Sequence, residues 1–388
     1  MFKPMRFEFC SAGRIIFGRG ALGEAGSLAA EMGRRALVVT GRHRERAERL
    51  IAELRAAGLE CALVAVKGEP TLDAVRQGCR QARDAECDLV VGIGGGSALD
   101  AAKAIGVMLT NGGDPLDYLE VIGRGQPFRC LSAPVIAIPT TAGTGAEVTR
   151  NAVLGSPEHR VKASLRSSFM LPRLALVDPH LSDEMPPHLT ASTGLDALTQ
   201  LIESFVSIHA NPFTDALCRQ GIALAARSLR RAFDHGDDLE ARDEMALASL
   251  LSGLALANAG LGAVHGFAAP IGGMFPVAHG CVCAALLPHV VTVNIRALRS
   301  RTPQHPALER YAEMAGIATG NATASAEDGL EWLKDLVRAL RGVPLAGLGI
   351  KTESFPGLIQ KAAAASSMRG NPIALTPDEM AEILNRAL

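Results

Sequence analysis

The stretch 88-DLVVGIGGGSALDAAK-103 runs from an apolar segment through three consecutive glycines into a segment with helical spacing. A strand that ends in glycines and continues into a helix is the phosphate-binding unit of doubly wound α/β domains. Backbone N–H groups at such a turn can approach a diphosphate, and the helix dipole favours negative charge there. The stretch therefore predicts a phosphate-binding turn at Gly94, Gly95, Gly96 and Ser97. The alternative is a tight turn that only needs glycine conformations, since G-x-G-x-x-G and Walker spacings are both missing.

Continuously apolar runs alternate with helical patterns through the first half of the chain. Strands are predicted at 36–40, 61–66, 88–93, 133–138 and 173–177, and helices at 44–57, 72–85 and 98–109. Strands that are apolar at every position are covered by helices on both faces of their sheet. This alternation predicts a doubly wound α/β domain with a parallel sheet over residues 1–182.

The pattern changes after Asp178 and Pro179. Helical spacing without a convincing strand is found at 195–207, 212–234, 238–261 and 307–314. We therefore predict a second, helical domain over residues 183–388, so that the fold class is α/β plus all-α. A chain of 388 residues, 48% of them hydrophobic, is long enough to form two such cores.

Composition argues against several kinds of partner. The net charge of −1, from 39 Lys and Arg against 40 Asp and Glu, lacks the basic excess that nucleic acid binding needs. The N-terminal sequence 1-MFKPMRFEFC-10 lacks the apolar core of a signal peptide, and the apolar run at 251–264 is too short to span a bilayer. We expect no nucleic acid partner, no membrane partner and a cytoplasmic location. The eight cysteines lack CxxC spacing, and burial is the expectation for Cys281 and Cys283 in their apolar run.

A second loop, 139-PTTAGTGAEVT-149, follows the strand predicted at 133–138. The carboxyl ends of parallel strands line the crevice in which such sheets bind ligands. We therefore expect Thr140, Thr141 and Thr144 to face the same crevice as the glycine turn. The alternative is a threonine that caps a helix.

Carboxylate and imidazole side chains are concentrated in the second half. In 194-GLDALTQLIESFVS-207, Asp196 and Gln200 lie on one helical face, with Glu203 one turn further along. His265 and His279 are separated by glycines and a proline, which suits two ligands on separate elements. One carboxylate and two imidazoles are a plausible set for Zn²⁺ or Fe²⁺ with an open position for a substrate oxygen. The alternative is a pair of ordinary hydrogen-bonded histidines.

Five segments occur together in one order: 94-GGGSALDAAK-103, 139-PTTAGTGAEVTRNAV-153, 161-VKASLRSSFMLPRLALVDP-179, 194-GLDALTQLIE-203 and 262-GAVHGFAAPIGGMF-275 with 278-AHG-280. With them the chain, from about Gly13 to its C-terminus, resembles the iron-containing (group III) alcohol dehydrogenase family. The resemblance implies a dehydroquinate synthase-like fold. It implies an NAD(P)-dependent alcohol dehydrogenase or aldehyde reductase, with a small alcohol, aldehyde or ketone as substrate, and a homo-oligomer.

The resemblance also implies roles for individual residues. The family's diphosphate-binding loop corresponds to Gly95, Gly96 and Ser97, and the threonines near its nicotinamide correspond to Thr140 and Thr141. Its cofactor-contacting lysine corresponds to Lys162, and its substrate-side asparagine to Asn151. The four metal ligands correspond to Asp196, Gln200, His265 and His279, of which we expect Asp196, His265 and His279 to be the catalytic centre.

Two positions depart from the family pattern. Gln200 stands where the family usually has a ligand histidine, and an amide oxygen is a weaker and harder ligand, so a divalent Fe or Zn ion would be weakly bound. The similar glycerol dehydrogenases use one aspartate and two histidines around zinc, which Asp196, His265 and His279 could match. Ala269 replaces a histidine thought to relay the product proton. The alternatives are a metal-independent reductase of the same fold or a catalytically inactive NADP(H)-binding protein.

Cofactor choice depends on the residues after 36-ALVVT-40. Most NAD-preferring members place an aspartate where this chain has Gly41, and Arg42, Arg44 and Arg46 follow here. Guanidinium groups favour a 2′-phosphate by charge-assisted hydrogen bonds, so we predict NADP(H) in preference to NAD(H). The alternative is that these arginines form only the solvated face of the next helix.

Overall fold

The computed structural model of the chain describes residues 6–42, 44–120, 122–159 and 161–388. The chain forms two compact units. One unit spans Ser11–Glu184, and the other contains Met185–Leu388 together with residues 6–10. The backbone of Cys10 exchanges hydrogen bonds of 2.6 and 2.8 Å with the side-chain amide of Asn258 in that second unit. The domain limits 1–182 and 183–388 stay predictions.

The strands of the described residues lie in the N-terminal unit. The strands predicted at 36–40, 61–66, 88–93, 133–138 and 173–177 match five of them to within two residues at each end. The strands are β1 (Ile15–Phe17), β2 (Arg35–Thr40), β3 (Glu60–Ala65), β4 (Leu89–Gly94), β5 (Val135–Pro139), β6 (Asn151–Ser156), β7 (Val161–Arg166) and β8 (Leu174–Val177). The main sheet has the order β1-β8-β5-β4-β2-β3, and each neighbouring pair is parallel. The helices are α1 (Ala25–Ala30), α2 (Glu48–Ala56), α3 (Leu72–Asp84), α4 (Gly96–Asn111) and α5 (Pro115–Tyr118).

Helices cover both faces of this sheet, which explains its continuously apolar strands. Along β2, Ala36 and Val38 belong to the core that contains α1 and α2. Leu37 and Val39 belong to the core that contains α3 and α4. All four side chains are fully buried. The prediction of a doubly wound α/β unit is confirmed.

The covering helices change face between β2 and β4. The chain leaves β2 through α2 on one face and leaves β4 through α4 on the other, while Thr40 of β2 pairs with Ile93 of β4. In open α/β sheets such a switch point creates a crevice at the carboxyl ends of the strands, where ligands bind. The glycine turn after β4 lies at this crevice.

β6 and β7 form an antiparallel hairpin that the apolar runs did not predict. The start of this hairpin is held by Lys103 on α4, whose side chain is fully buried. Lys103 donates to the Thr149 hydroxyl at 2.7 Å and to the carbonyl oxygens of Ala146 and Asn151 at 2.8 and 2.5 Å. Its charge is paired with Asp100 at 3.0 Å. A buried charge with this many partners is tolerated, so Lys103 fixes the hairpin to α4.

The C-terminal unit is helical in its described residues, as predicted. Its helices are α6 (Pro187–Val206), α7 (Pro212–Asp234), α8 (Leu239–Ala259), α9 (Ala263–Met274), α10 (His279–Arg301), α11 (Ala307–Thr319), α12 (Ala326–Ala339), α13 (Phe355–Ala364) and α14 (Pro377–Ala387). α6 packs against α7, α8 and α10, and α9 packs against α10 and α13. α7 has the bounds the sequence predicts because a capping box of Asn211 and Thr214 fixes its start.

One described helix, α10, is long and apolar enough to cross a membrane, and α8 and α9 pass the same test together across a 99° bend. Most of the apolar part of α10 is buried inside the protein, as in the core helix of a helical unit. The expectation that the protein has no membrane partner stays a prediction.

Candidate metal and nucleotide sites

Three helices of the C-terminal unit bring four potential metal donors to one place. α6 contributes Asp196, α9 contributes His265, and the first turn and a half of α10 contributes His279 and Cys283. One ligand atom from each side chain lies within 4.8 Å of the corresponding atoms of the other three. The predicted convergence of Asp196, His265 and His279 therefore occurs in the structure.

The distances between these atoms match a small coordination sphere. Asp196 Oδ1 lies 3.2 Å from His265 Nε2 and 3.7 Å from His279 Nε2. Cys283 Sγ lies 3.7 Å from Asp196 Oδ1, 3.7 Å from His279 Nε2 and 4.0 Å from His265 Nε2. Tetrahedral bonds of roughly 2.0–2.3 Å place neighbouring ligand atoms about 3.3–3.6 Å apart. The donor set therefore fits a divalent ion with only small adjustments.

His265 is held by a carboxylate on its far side. Its Nδ1 lies 2.6 Å from Glu203 Oε2, and Glu203 Oε1 accepts a hydrogen bond of 2.6 Å from the Val264 backbone. Gly262 makes room for this carboxylate, because a Cβ there would lie 2.9 Å from Glu203 Oε1. A carboxylate on Nδ1 fixes the ring and leaves Nε2 for a metal ion, as in carboxylate–histidine–metal triads.

Gln200 lies one helical turn after Asp196, on the same face of α6, as predicted. Its amide oxygen accepts a hydrogen bond of 2.8 Å from the Ser252 hydroxyl, and its polar side chain contributes to lowering the pKa of Asp196. The structure thus brings Gln200 next to the donor cluster. Its assignment as a metal ligand stays a prediction.

The cluster holds opposite charges in a buried place. Burial raises the pKa of Asp196, but the positive charges of His279 and His265 outweigh it, so that the pKa is lowered. Burial opposes protonation of His279, but the charges of Cys283 and Asp196 raise its pKa to about 9. The pKa of Cys283 is lowered because both imidazoles outweigh the burial of its thiol. These groups can exchange their protons for a cation.

A close helix contact places His279. Gly280 follows it in α10, and a Cβ at Gly280 would lie 2.0 Å from the backbone oxygen of Ser192 on α6. The lack of a side chain lets the first turn of α10 approach α6, which brings His279 within 3.7 Å of Asp196. The His279 side chain is 35% exposed, against 4% for Asp196 and 7% for His265, so solvent reaches the cluster from the His279 side.

Sequence reasoning missed Cys283 as a member of this cluster. An isolated cysteine in an apolar run is usually an inert core residue. The available signal was the spacing of His279 and Cys283, which are four residues apart and therefore lie on one face of α10. Asp196 and Gln200 have the same spacing on α6.

The glycine turn and the threonine loop of the N-terminal unit pack against each other. A Cβ on Gly96 would lie 2.8 Å from the Thr144 side chain, and one on Gly95 would lie 3.4 Å from the Thr141 hydroxyl. The Thr140 backbone N–H donates to the Gly94 carbonyl oxygen at 2.9 Å. The N-cap of α4 is Gly95, which has no side chain and therefore no cap oxygen for the first N–H groups of the helix. These N–H groups are therefore available to an anion.

Gly41 completes the crevice at the end of β2. A Cβ added to Gly94 would lie 3.5 Å from the backbone nitrogen of Gly41, so the two glycines are close. A Cβ added to Gly41 would meet no atom within 4 Å, so the space beside Gly41 is open. Arg42 and Arg44 follow with exposed side chains. The side chain of Arg46, also named in the cofactor prediction, lies outside the described residues. Gly41 and the glycine turn are thus neighbours, as that prediction requires.

Lys162 and Asn151 lie on the hairpin rather than in these loops. Lys162 Nζ lies 3.2 Å from the carboxylate of Glu69, which follows β3. This ion pair joins the hairpin to the segment that follows β3. The Asn151 carbonyl oxygen accepts a hydrogen bond from Lys103. The assignments of Lys162 to the cofactor and of Asn151 to the substrate stay predictions.

A glycine turn on a doubly wound sheet and a carboxylate–imidazole cluster in a helical unit are the features expected of a dehydrogenase that uses a nucleotide cofactor and a metal ion. The family model described as "iron-containing alcohol dehydrogenase" matches residues 12–179. The model "Fe-containing alcohol dehydrogenase family, C-terminal" matches residues 190–388. The chain belongs to the iron-containing alcohol dehydrogenase family, which confirms the resemblance and the fold class inferred from the sequence. It is an alcohol dehydrogenase of a family that uses a nicotinamide cofactor and a divalent metal.

Similar proteins cover the whole chain. The 1,3-propanediol dehydrogenase of Klebsiella pneumoniae is 36% identical over 395 residues, which is 98% of this chain and 98% of that protein. The NAD-dependent methanol dehydrogenase of Bacillus methanolicus is 34% identical, over 96% of this chain and 97% of its own. A crystal structure of 1,3-propanediol oxidoreductase superposes with a TM-score of 0.92 at 35% identity, covering 99% of this chain and all of the other.

Proposed function

We propose that this alcohol dehydrogenase interconverts a short primary alcohol and its aldehyde, prefers NADP(H), and uses a divalent ion held by Asp196, His265 and His279. The observation that carries the proposal is the convergence of these three side chains from three helices. A metal-independent reductase would have no need of a buried carboxylate against two imidazoles. An inactive NADP(H)-binding protein would not need this cluster in its other unit.

The donor side chains have distinct tasks in this proposal. A bound divalent ion would act as a Lewis acid on the substrate oxygen. Asp196 offers it a buried negative charge, and His265 offers a nitrogen whose direction Glu203 fixes. His279 lies on the more exposed side, where a small substrate can reach the cluster.

The N-terminal unit would hold the cofactor. The N–H groups of Gly95, Gly96 and Ser97 would bind the diphosphate at the start of α4, with Thr140, Thr141 and Thr144 beside them and Lys162 as a further contact. A nicotinamide held there would supply or accept the hydride that interconverts the alcohol and the aldehyde. With alanine at position 269, the proton would leave through water or a ribose hydroxyl.

NADP(H) preference is the finer part of the cofactor proposal. Gly41 leaves open space where a carboxylate would repel a 2′-phosphate, and the exposed Arg42 and Arg44 supply positive charge nearby. A relative is named as NAD-dependent, so the preference must be measured for this chain. Gly41→Asp should lower kcat/KM for NADPH by about tenfold or more and spare that for NADH, where tenfold corresponds to about 1.4 kcal/mol.

Two relatives support the proposed substrate class. Enzymes named for 1,3-propanediol and methanol match nearly the full length of the chain, which supports a short primary alcohol. Asn151 is the residue we propose on the substrate side. We further propose a cytoplasmic homo-oligomer, for which light scattering of the purified protein is the test of assembly.

The deciding experiment is a panel of short alcohols and aldehydes assayed with NADH and NADPH in parallel. The metal-free protein, prepared by chelation, is compared with protein given Zn²⁺ or Fe²⁺. We expect turnover that depends on added metal and is lost in His265→Ala together with bound metal. Full turnover after chelation would favour the metal-independent reductase, and cofactor binding without any turnover would favour the inactive binding protein.

A further inference from the structure

We propose that Cys283 is a fourth protein ligand of the metal ion, beside Asp196, His265 and His279, and that zinc is therefore the preferred ion. The inference deepens the proposed function, because it concerns the identity of the donors in the same cluster. It makes a claim about ligation that can be tested without turnover.

The position of Cys283 is the first argument. Its side chain is fully buried, and its sulfur lies between 3.7 and 4.0 Å from ligand atoms of the three other donors. Sulfur–metal bonds of roughly 2.3 Å and nitrogen–metal bonds of roughly 2.0–2.1 Å give sulfur–nitrogen separations of about 3.6 Å. Because His279 and Cys283 are one turn apart on α10, one rigid helix presents both donors.

Gln200 supplies the second argument. The amide oxygen of Gln200 accepts a hydrogen bond of 2.8 Å from the Ser252 hydroxyl on α8, so it is engaged away from the three other donors. We therefore assign Gln200 to an outer position beside Asp196. The fourth donor position is assigned to the Cys283 sulfur on α10, which lies within 4.0 Å of a ligand atom of each of the other three donors.

Charge and donor softness give the third argument. Asp196 and a Cys283 thiolate carry two negative charges, which match a dication and make the buried centre neutral. Thiolate is a soft ligand that favours zinc over the harder ions that oxygen donors select. One carboxylate, two imidazoles and one thiolate form a four-donor set that zinc accepts, and the substrate oxygen would then bind as a fifth ligand.

The test is a titration of the metal-free full-length protein with Co²⁺ as a spectroscopic substitute for zinc. Thiolate ligation gives a sulfur-to-cobalt charge-transfer band in the near ultraviolet, which carboxylate and imidazole ligands do not give. We compare the wild type with Cys283→Ser, Gln200→Ala and Cys281→Ser. The last is the matched control, because Cys281 lies on the same helix and does not belong to the cluster.

We expect one equivalent of Co²⁺ and the charge-transfer band in the wild type and in Cys281→Ser. Gln200→Ala should keep the band and lose roughly 10- to 100-fold in affinity, as expected of an outer partner. Cys283→Ser should lose the band and more affinity than Gln200→Ala, and zinc content after purification should fall with it. Circular dichroism checks that each variant is folded.

Three results would overturn the inference: Co²⁺ bound by the wild type without the band, a band retained in Cys283→Ser, or no Co²⁺ bound by the wild type. The first of these rests on the unaltered protein and does not depend on the folding of any variant. A normal band without turnover of any alcohol would support the ligand assignment and contradict only the proposed function.

Discussion

His265 is the residue whose surroundings say most about the centre, because both of its ring nitrogens are engaged. Nε2 faces Asp196 at 3.2 Å and Nδ1 faces Glu203 at 2.6 Å. A histidine that only stabilised the core would need one such partner. The second carboxylate raises the basicity of the ring and fixes its direction, which is what a metal ligand requires.

Glu203→Gln should weaken zinc binding. The substitution keeps the shape of the side chain but removes the charge that orients His265, so we expect zinc affinity to fall roughly 10- to 100-fold. Competition with a chromophoric chelator measures the change. Glu309→Gln, an exposed change on another helix of the same unit, is the control and should leave the affinity unchanged. Equal affinities of Glu203→Gln and wild type would show that the Glu203 contact is irrelevant to the centre.

Glu147 predicts a pH dependence of stability in the N-terminal unit. Burial raises the pKa of this carboxyl from 4.5 to about 7. A folded-state pKa above the unfolded one gives stability that is complete below about pH 4.5 and is lost as the pH rises through 7. At pH 8.5 the ionised Glu147 carboxylate therefore lowers the free energy of unfolding by about 3 kcal/mol. Glu147→Gln removes this cost.

We therefore expect Glu147→Gln to raise the free energy of unfolding by up to about 3 kcal/mol at pH 8.5 and to have little effect at pH 4.5. Denaturant titrations at both pH values measure the difference. Glu158→Gln, at an exposed position, serves as the comparison. A gain of the same size at both pH values would mean that ionisation of Glu147 is not its cause.

The helices of the C-terminal unit place the donors through close contacts that a single methyl group would break. α10 approaches α6 where Gly280 faces the Ser192 carbonyl oxygen, with room for no Cβ. α9 turns back towards α6 at Gly262, beside Glu203. The proposed metal centre therefore depends on how these three helices pack as much as on its donor side chains.

Gly280→Ala should displace the first turn of α10. We expect a loss of about 1–3 kcal/mol in the free energy of unfolding, from overpacking, together with weaker zinc binding through the displaced His279. Gly357→Ala on α13 is the matched control. A Cβ there meets nothing within 4 Å, and alanine is the better helix former by up to about 1 kcal/mol. If both variants were equally stable and bound zinc alike, the α6–α10 contact would not control the site.

The two compact units carry different candidate sites, so the two ligands should stabilise different parts of the chain. Zinc should reduce hydrogen exchange most strongly in α6, α9 and the start of α10, and NADPH most strongly around the glycine turn and the threonine loop. At about 100 times its dissociation constant, each ligand contributes about 2.7 kcal/mol of stability. Exchange mass spectrometry with and without each ligand measures this. His265→Ala should lose only the zinc-dependent protection, and protection by zinc at the glycine turn would contradict the division of sites.

Much of the fold was predictable because it depends on local patterns. Strands buried on both faces must be apolar at every position, so β2, β4, β5 and β8 were visible as runs. The edge strand β3 was visible as well, although most of its residues are only partly buried. The bounds of α7 followed from its cap and its helical spacing. The β6–β7 hairpin was missed because its strands mix buried with half-exposed and polar positions, and its anchor is Lys103, a residue about fifty positions earlier in the chain.

The sequence by itself determined the parallel sheet, the helical second half, the glycine turn and the grouping of Asp196 with two distant histidines. These follow from periodicity, from glycine chemistry and from the donor preferences of metal ions. Only the tertiary structure decided that Cys283 joins the donors and that the oxygen of Gln200 is engaged by Ser252. The physical reason is that a coordination sphere is a set of distances between side chains on different helices. Local sequence fixes which face of each helix a donor lies on, and the packing of the helices fixes which faces meet.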